Sequence, residues 1–366
     1  MAHKIRVGIL FGGRSAEHEV SLQSAKNVVE AMDREKYEPI LIGIDKQGQW
    51  YLSDQPDWVL NAHDPKLIRL NTNNNRVGIM PLPERNQLVG VNSSASYGHI
   101  DVVFPVLHGP YGEDGAIQGL LKLAGIPCVG ADVLGSAIGM DKDVMKRLLR
   151  DAGIPIARFR CYRSEASAAA DWPELTKELG LPLFVKPANL GSSVGVSKVR
   201  TEREYIRAVK TAFEYDRKII VEEAIRGREI ECSVLGNEQP IASLPGEVLP
   251  RQEFYSYEAK YIDEHGARLD IPARLSPAEI ARVQAMALDA FQVLCCSGMA
   301  RVDMFLQADG RLVLNEINTI PGFTRISMYP QLWQASGIGY SELIDRLIQL
   351  AIGRFQAEQR LQTTVD

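Results

Sequence analysis

The stretch Arg301-Val-Asp-Met-Phe-Leu-Gln-Ala-Asp-Gly-Arg-Leu-Val-Leu-Asn-Glu-Ile-Asn318 leaves the chain little freedom. Asp-Gly between two apolar runs is a strong hairpin signal, because glycine accepts the positive φ that a tight turn demands. A two-residue turn at Asp309-Gly310 puts Asp303 directly opposite Glu316. Asn318 shares Glu316's face, since side chains repeat every two residues. Opposed like charges weaken a sheet. A divalent cation reverses that penalty. Two carboxylates and an amide oxygen are hard donors suited to Mg2+ held mainly through nucleotide phosphates. The competing reading is a solvated face with two acids by chance; Phe305 and Leu314 on the same face weigh against it.

A chain of 366 residues has room for two or three domains. Its 45% apolar and 24% charged residues exclude disorder, collagen and a small disulfide scaffold. A net charge of −5 leaves no basic excess for nucleic acid. The five cysteines form no CxxC pair, which suits reduced thiols. No apolar run approaches the ~18 residues of a membrane helix. The apolar part of the N-terminal segment is too short for a signal peptide and reads as a strand. A cytoplasmic enzyme with no membrane or nucleic-acid partner is expected.

Apolar runs at Ile5–Phe11, Ile40–Ile44 and Val102–Leu107 alternate with helical patterns at Ser21–Lys36 and Ile117–Ala124. That alternation predicts an α/β domain with a parallel sheet. Residues 53–98, rich in Asn, Pro and Ser, read as an irregular surface excursion. Further on, the pattern predicts helices at Ser136–Ala152 and Glu165–Leu179, and strands at Ile156–Tyr162, Leu183–Lys186, Ile219–Glu223 and Ile230–Leu235. Thr201–Glu204 and Ser276–Glu279 are capping boxes. The first opens a helix with Ile206, Val209 and Phe213 on one side. The second opens a helix running to about Cys296, and another spans Ser341 to about Glu358.

Three further segments carry candidate chemistry. Lys186 ends a strand before the loop Asn189-Leu-Gly-Ser-Ser-Val-Gly195, whose N–H groups could cradle phosphates. The same loop matches G-x-S-x-G, a hydrolase reading with Ser193 as nucleophile. That elbow needs a helix directly after it, whereas Val196–Val199 reads extended. Ile220–Glu229 delivers acids into a short glycine-containing connection, where carboxylates could meet an adenine amino group or ribose hydroxyls. The loops Gly12–Glu19 and His108–Gly115 follow presumed parallel strands, where open α/β sheets bind ligands. Capping by Ser15 or Asp114 is their plainer explanation.

Taken together, GGRSAEHEVS (12–21), HGPYGEDG (108–115), MDKDVMK (140–146), VKPANLGSSVGVSKV (185–199), YEAKY (257–261), RVDMFL (301–306) and NEINTIPGFT (315–324) resemble the D-alanine–D-alanine ligases of the ATP-grasp superfamily. The resemblance runs through nearly the whole chain in the family's order. It implies an N-terminal Rossmann-like substrate domain (1–134), a central ATP-grasp lobe (135–225) and a C-terminal lobe with the metal site (226–366). By that likeness Lys142, Lys186 and Lys260 hold ATP phosphates. Glu222 and the backbone of Glu223 and Ile225 meet adenine, and Glu229 meets ribose. Asp303, Glu316 and Asn318 bind two Mg2+, for which Mn2+ can substitute. Glu17 and His108 sit by the first D-alanine, and Ser327 and Met328 beside the second. Arg301 and the Gly322 backbone stabilise an oxyanion. Ser192, Tyr261 and Glu17 form a hydrogen-bonded triad. The resemblance also implies a homodimer. Besides the ligase, two readings stand: a serine hydrolase using Ser193, and a non-catalytic two-lobed binding protein.

Overall fold

The computed structural model describes residues 4–53, 58–61, 64, 67–72, 75–81, 87–91, 95–250 and 267–362. Lys260 and Tyr261 lie outside the described residues.

The first sheet has the order Trp50–Ser53, Tyr37–Ile44, Ile5–Gly12, Val102–Val106. Its inner strands are parallel, as the alternating pattern predicts, and Trp50–Ser53 adds an antiparallel edge. Helix His18–Ala31 buries Leu22, Ala25, Val28 and Val29 against it. The helix Tyr340–Glu358 joins the same core through Leu343, Ile344, Leu347 and Ile348. So the last helix of the chain closes the first domain. The excursion after residue 53 is less irregular than expected. It holds two small hairpins, Val59–Leu60 with Arg69–Leu70 and Val77–Ile79 with Leu88–Gly90, and buries Trp58, Ile68 and Leu88.

Two antiparallel sheets follow. One orders Ser197–Val199, Leu183–Pro187, Ile219–Glu223, Phe159–Tyr162. The other orders Ala267–Asp270, Gly246–Pro250, Arg228–Gly236, Gly298–Leu306, Leu312–Asn318, with Ile241–Ala242 beside Arg228–Gly236. Both capping boxes form, at Thr201/Glu204 and Ser276/Glu279. Helix Glu202–Tyr215 turns differently from the expected face. Tyr205, Ala208, Val209 and Ala212 are buried, while Ile206 is 47% exposed. Tyr205 decides the rotation: its hydroxyl donates to Ala168 O at 2.8 Å inside the core.

Two predicted helices are each two. Ser136–Ala152 divides into Val133–Met140 and Lys142–Asp151, because extended Asp141 turns its carboxylate onto the N–H groups of Asp143 and Val144. Glu165–Leu179 divides at Asp171, where Pro173 opens the second piece. Helix Met328–Ala335 carries no sequence signal strong enough to be read beforehand.

The hairpin pairs Asp303 with Glu316 by another route than the predicted turn. Leu306 faces Leu312, Gln307 N–H donates to Arg311 O, and Gly310 takes φ +82°, so the loop is the three residues 308–310. That alone would shift the register by one. A bulge at Asn315 shifts it back, and Asp303 meets Glu316.

Candidate functional site

Residues of both antiparallel sheets line one cleft of about 490 Å³. Asp141 positions its first lysine. The helix break places Lys142 N–H on Ala188 O at 3.0 Å and its Nζ 2.5 Å from Leu190 O. The same ammonium stands 4.0 Å from Glu316. Lys186, in strand register with Ile220, forms an ion pair with Glu222. Lys146 approaches the other Glu222 oxygen at 3.0 Å. Burial pushes the Glu222 carboxyl up, but the two lysines outweigh it and bring it down to about 2. Burial lowers the Lys186 ammonium, and Glu222 outweighs that and raises it. Glu222, expected at adenine, is thus engaged between two lysines. Lys146 went unread in the sequence, although its spacing of four from Lys142 on an amphipathic helix puts both on one face.

Glu223 turns its carboxylate onto Arg158, with Nε at 2.8 Å. Its N–H is donated to Arg158 O and that of Ala224 to Pro182 O. Ile225 and Glu229 line the cleft. Asp303 and Glu316 close its floor, with Asn318 Nδ2 3.0 Å from Asp303. Arg301 grips Asp303 with Nε and Nη2, each at 2.8 Å, and reaches Glu231 at 2.7 Å.

A second, smaller cavity of about 90 Å³ shares Gly191, Ser192, Glu231 and Glu316 with the cleft. It also brings together Glu17, Arg301, Asn318, Gly322, Ser327 and Met328. Ser192 donates to Glu17, joining two segments 175 residues apart. Ser192 and Ser193 both hold positive φ, +51° and +59°. At Gly322 a Cβ would lie 2.7 Å from Ser327 Oγ, so a side chain there would displace that hydroxyl from Thr324 N–H. Met328 is buried against Val248 and Leu332.

Glu113 also lines this cavity, a residue that the sequence reading passed over inside HGPYGEDG. Burial and the nearby Glu17 charge push its carboxyl well above the ordinary range. His108 is buried and lines a separate cavity with Gly12, Gly13 and Leu107 rather than this one, with Nδ1 3.1 Å from Ile320 O. Burial lowers its pKa. Asp114 accepts from Tyr111 N–H at 2.8 Å and Ala116 N–H at 3.0 Å, but the N-cap of helix Ala116–Leu123 is Gly115, not Asp114.

Ser193 does not sit in a nucleophile elbow. It lies inside a turn from Gly191 to Val194, and strand Ser197–Val199 follows, where the hydrolase reading requires a helix. Among the described residues no helix is long and apolar enough to cross a membrane.

A lysine-lined cleft between two antiparallel lobes, opening into a small polar cavity against a parallel-sheet domain, makes this an ATP-grasp enzyme. Residues 6–131 match the family described as D-ala D-ala ligase N-terminus, and residues 148–349 match D-ala D-ala ligase C-terminus. The chain belongs to the D-alanine–D-alanine ligase family. It is 57% identical over 361 residues to the D-alanine–D-alanine ligase of Oceanobacillus iheyensis, covering 99% of each chain. Its structure is similar to the D-alanine-D-alanine ligase from Coxiella burnetii, with TM-score 0.85, 42% identity and coverage of 98% of this chain and 97% of that one. It is also similar to the VanG D-Ala:D-Ser ligase from Enterococcus faecalis, with TM-score 0.83, 36% identity and coverage of 95% and 100%.

Proposed function

We propose that this chain joins two D-alanines to D-alanyl-D-alanine with ATP as the driving substrate, for peptidoglycan precursors. The carrying observation is the pair of cavities that share Ser192 and Glu316: a lysine-lined cleft sized for a nucleotide, and a small polar chamber beside it.

A carboxylate resists attack by an amine because its leaving group would be oxide. The first D-alanine carboxylate therefore attacks the γ-phosphorus of ATP, and ADP leaves. Lys142 and Lys186 offset the charge on the transferred phosphoryl group. Asp303 and Glu316 face each other in the cleft and Asn318 adjoins them with its Nδ2 on Asp303, so two carboxylates and one amide oxygen are at hand to fit hard divalent cations. Mg2+ held there would neutralise phosphate charge, and Mn2+ would serve the same donors. The second D-alanine, lying by Ser327 and Met328, then attacks the acyl phosphate as free amine. Arg301 and the Gly322 N–H stabilise the tetrahedral oxyanion, and phosphate leaves. Glu17, held by Ser192, faces the first D-alanine's ammonium. No protein nucleophile is needed.

The proposed lobes are 1–134, 135–225 and 226–366, the last returning helix Tyr340–Glu358 to the first domain's core, in a cytoplasmic homodimer. The test is ADP release and product analysis with D-alanine, L-alanine and D-lactate offered singly and in pairs. D-alanine alone should yield ADP and the dipeptide. Release with no added amino acid, or with L-alanine as readily, would defeat the reading. D-serine paired with D-alanine is a further arm, because a D-Ala:D-Ser ligase among the structural relatives shares the fold, which leaves the second substrate to product analysis.

A further inference from the structure

Ile320-Pro-Gly-Phe323 links strand Leu312–Asn318 to helix Met328–Ala335 and carries the Gly322 N–H. Both ends of this tetrapeptide are held by other parts of the chain. Ile320 N–H donates to Glu113 Oε1 at 3.3 Å, and Ile320 O faces His108 Nδ1 at 3.1 Å. Phe323 N–H donates to Ser24 Oγ at 3.2 Å. Phe323 O accepts from Asn27 Nδ2 at 3.1 Å and from the Tyr340 hydroxyl at 2.6 Å. Ser24 Oγ also lies 3.4 Å from His108 Nε2.

Hydrogen-bond chemistry orders this network. A carbonyl only accepts, so His108 carries its hydrogen on Nδ1, toward Ile320. Ser24 Oγ accepts from Phe323 N–H, which leaves its own hydrogen for His108 Nε2. Ser24 and Asn27 are three apart on helix His18–Ala31, so one face of that helix grips Phe323 from both sides of its peptide. The closing helix Tyr340–Glu358 supplies the last bond, and the Tyr340 ring stands edge-on to Phe323 with centroids 6.3 Å apart.

We propose that Ser24, Asn27 and Tyr340 are positioning residues for the Gly322 N–H. The N-terminal domain and the closing helix thereby set the geometry of acyl transfer in the C-terminal lobe. The proposal rests on reading Gly322 as an oxyanion donor. Such a donor works only if it is fixed before charge develops, because a mobile N–H would have to be reoriented during the reaction. Glycine at 322 is conformationally loose by itself. Anchors at 320 and 323 remove that freedom, and of the anchoring side chains only Glu113 lines the chamber.

Ser24→Ala and Tyr340→Phe each delete one anchor, and the second keeps the ring. The readouts are steady-state kinetics, melting temperature, and binding of a tetrahedral phosphinate dipeptide analogue and of D-alanine. Each variant should lower kcat about 10- to 100-fold, below the loss from removing an oxyanion donor outright. KM for ATP should stay unchanged. Analogue binding should weaken by the same factor as kcat/KM, with D-alanine binding preserved, because the tetrahedral species alone uses the donor. If Ser24→Ala does not fold, Tyr340→Phe decides. Unchanged kcat, or equal weakening of analogue and D-alanine, would overturn the positioning role. An unmutated enzyme that binds the analogue no tighter than D-alanine would instead overturn the oxyanion reading itself, and that failure appears before any variant is made.

Discussion

Ser192 donates its hydroxyl hydrogen to Glu17, so a loop of the central lobe is latched to the loop after the first strand of the chain. Ser192 makes this bond from the left-handed region, at φ +51°. That conformation costs an L-residue roughly 1–2 kcal/mol. Two substitutions separate the hydroxyl from the backbone. Ser192→Gly removes the strain and the hydroxyl, whereas Ser192→Ala removes only the hydroxyl. Both should lower kcat/KM for D-alanine by about 10-fold, the cost of roughly one hydrogen bond to a charged group. The glycine variant should be the more stable of the two by thermal denaturation. Full activity in either would show that the latch does not serve the reaction.

Glu222 lies buried between Lys146 and Lys186, and its loss should be felt in stability first. Glu222→Gln leaves two ammonium groups without their shared partner, a change expected to cost about 3–5 kcal/mol in denaturant unfolding. The pH dependence has a definite sign. Folding lowers this carboxyl from 4.5 to about 2, so its contribution is full above pH 4.5 and is lost as pH falls toward 2. The unmutated chain should lose stability across that window faster than Glu222→Gln. Parallel curves would remove Glu222 from the account of acid unfolding.

What could be read from sequence follows from what is local. The capping boxes formed because cap and helix lie three residues apart. The pairing of Asp303 with Glu316 was legible too, but through two offsetting irregularities: a three-residue loop and a bulge at Asn315. A single-strand reading has no signal for either. Ile206 was misplaced because Val209 and Phe213 suggest a stripe, while the rotation is set by Tyr205 bonding to Ala168, 37 residues away. Glu113 and Lys146 were missed for the same reason. Their significance depends on Ile320, Glu17 and Glu222, none of them neighbours in sequence. ATP-grasp architecture and the ligase activity were readable from the ordered motifs, and the family membership agrees.

Arg301 occupies both oxygens of Asp303 and also reaches Glu231. Asp303→Asn should therefore keep the fold, because the guanidinium retains the Glu231 partner at 2.7 Å. It should raise the Mg2+ concentration for half-maximal turnover by at least about 10- to 100-fold, the range for disturbing a metal site. Calorimetric titration of Mg2+ onto the ATP-loaded enzyme gives a readout apart from turnover. Unaltered turnover at limiting Mg2+ would dismiss the assignment.

Lys186 and Lys146 share one carboxylate yet should differ in what they do. Lys186 lines the larger cleft, whereas Lys146 is 1% exposed and is absent from the cleft lining. Lys186→Met should weaken phosphoryl transfer by about 2–4 kcal/mol, as expected for losing a charge-stabilising donor. The fold should survive, because Glu222 keeps Lys146 at 3.0 Å. Lys146→Met should instead lower the melting temperature with a smaller effect on kcat, since Glu222 keeps Lys186. Contacting residues that share a partner do not add independently. The double variant should thus lose more stability than the two single losses together, because only then is Glu222 buried with neither lysine. ADP release and denaturant midpoints measured on all four proteins check both halves. Unchanged ATP kinetics in Lys186→Met would reduce that lysine to a partner of Glu222. Additive stability losses would show that the two ammonium groups do not act on the carboxylate together.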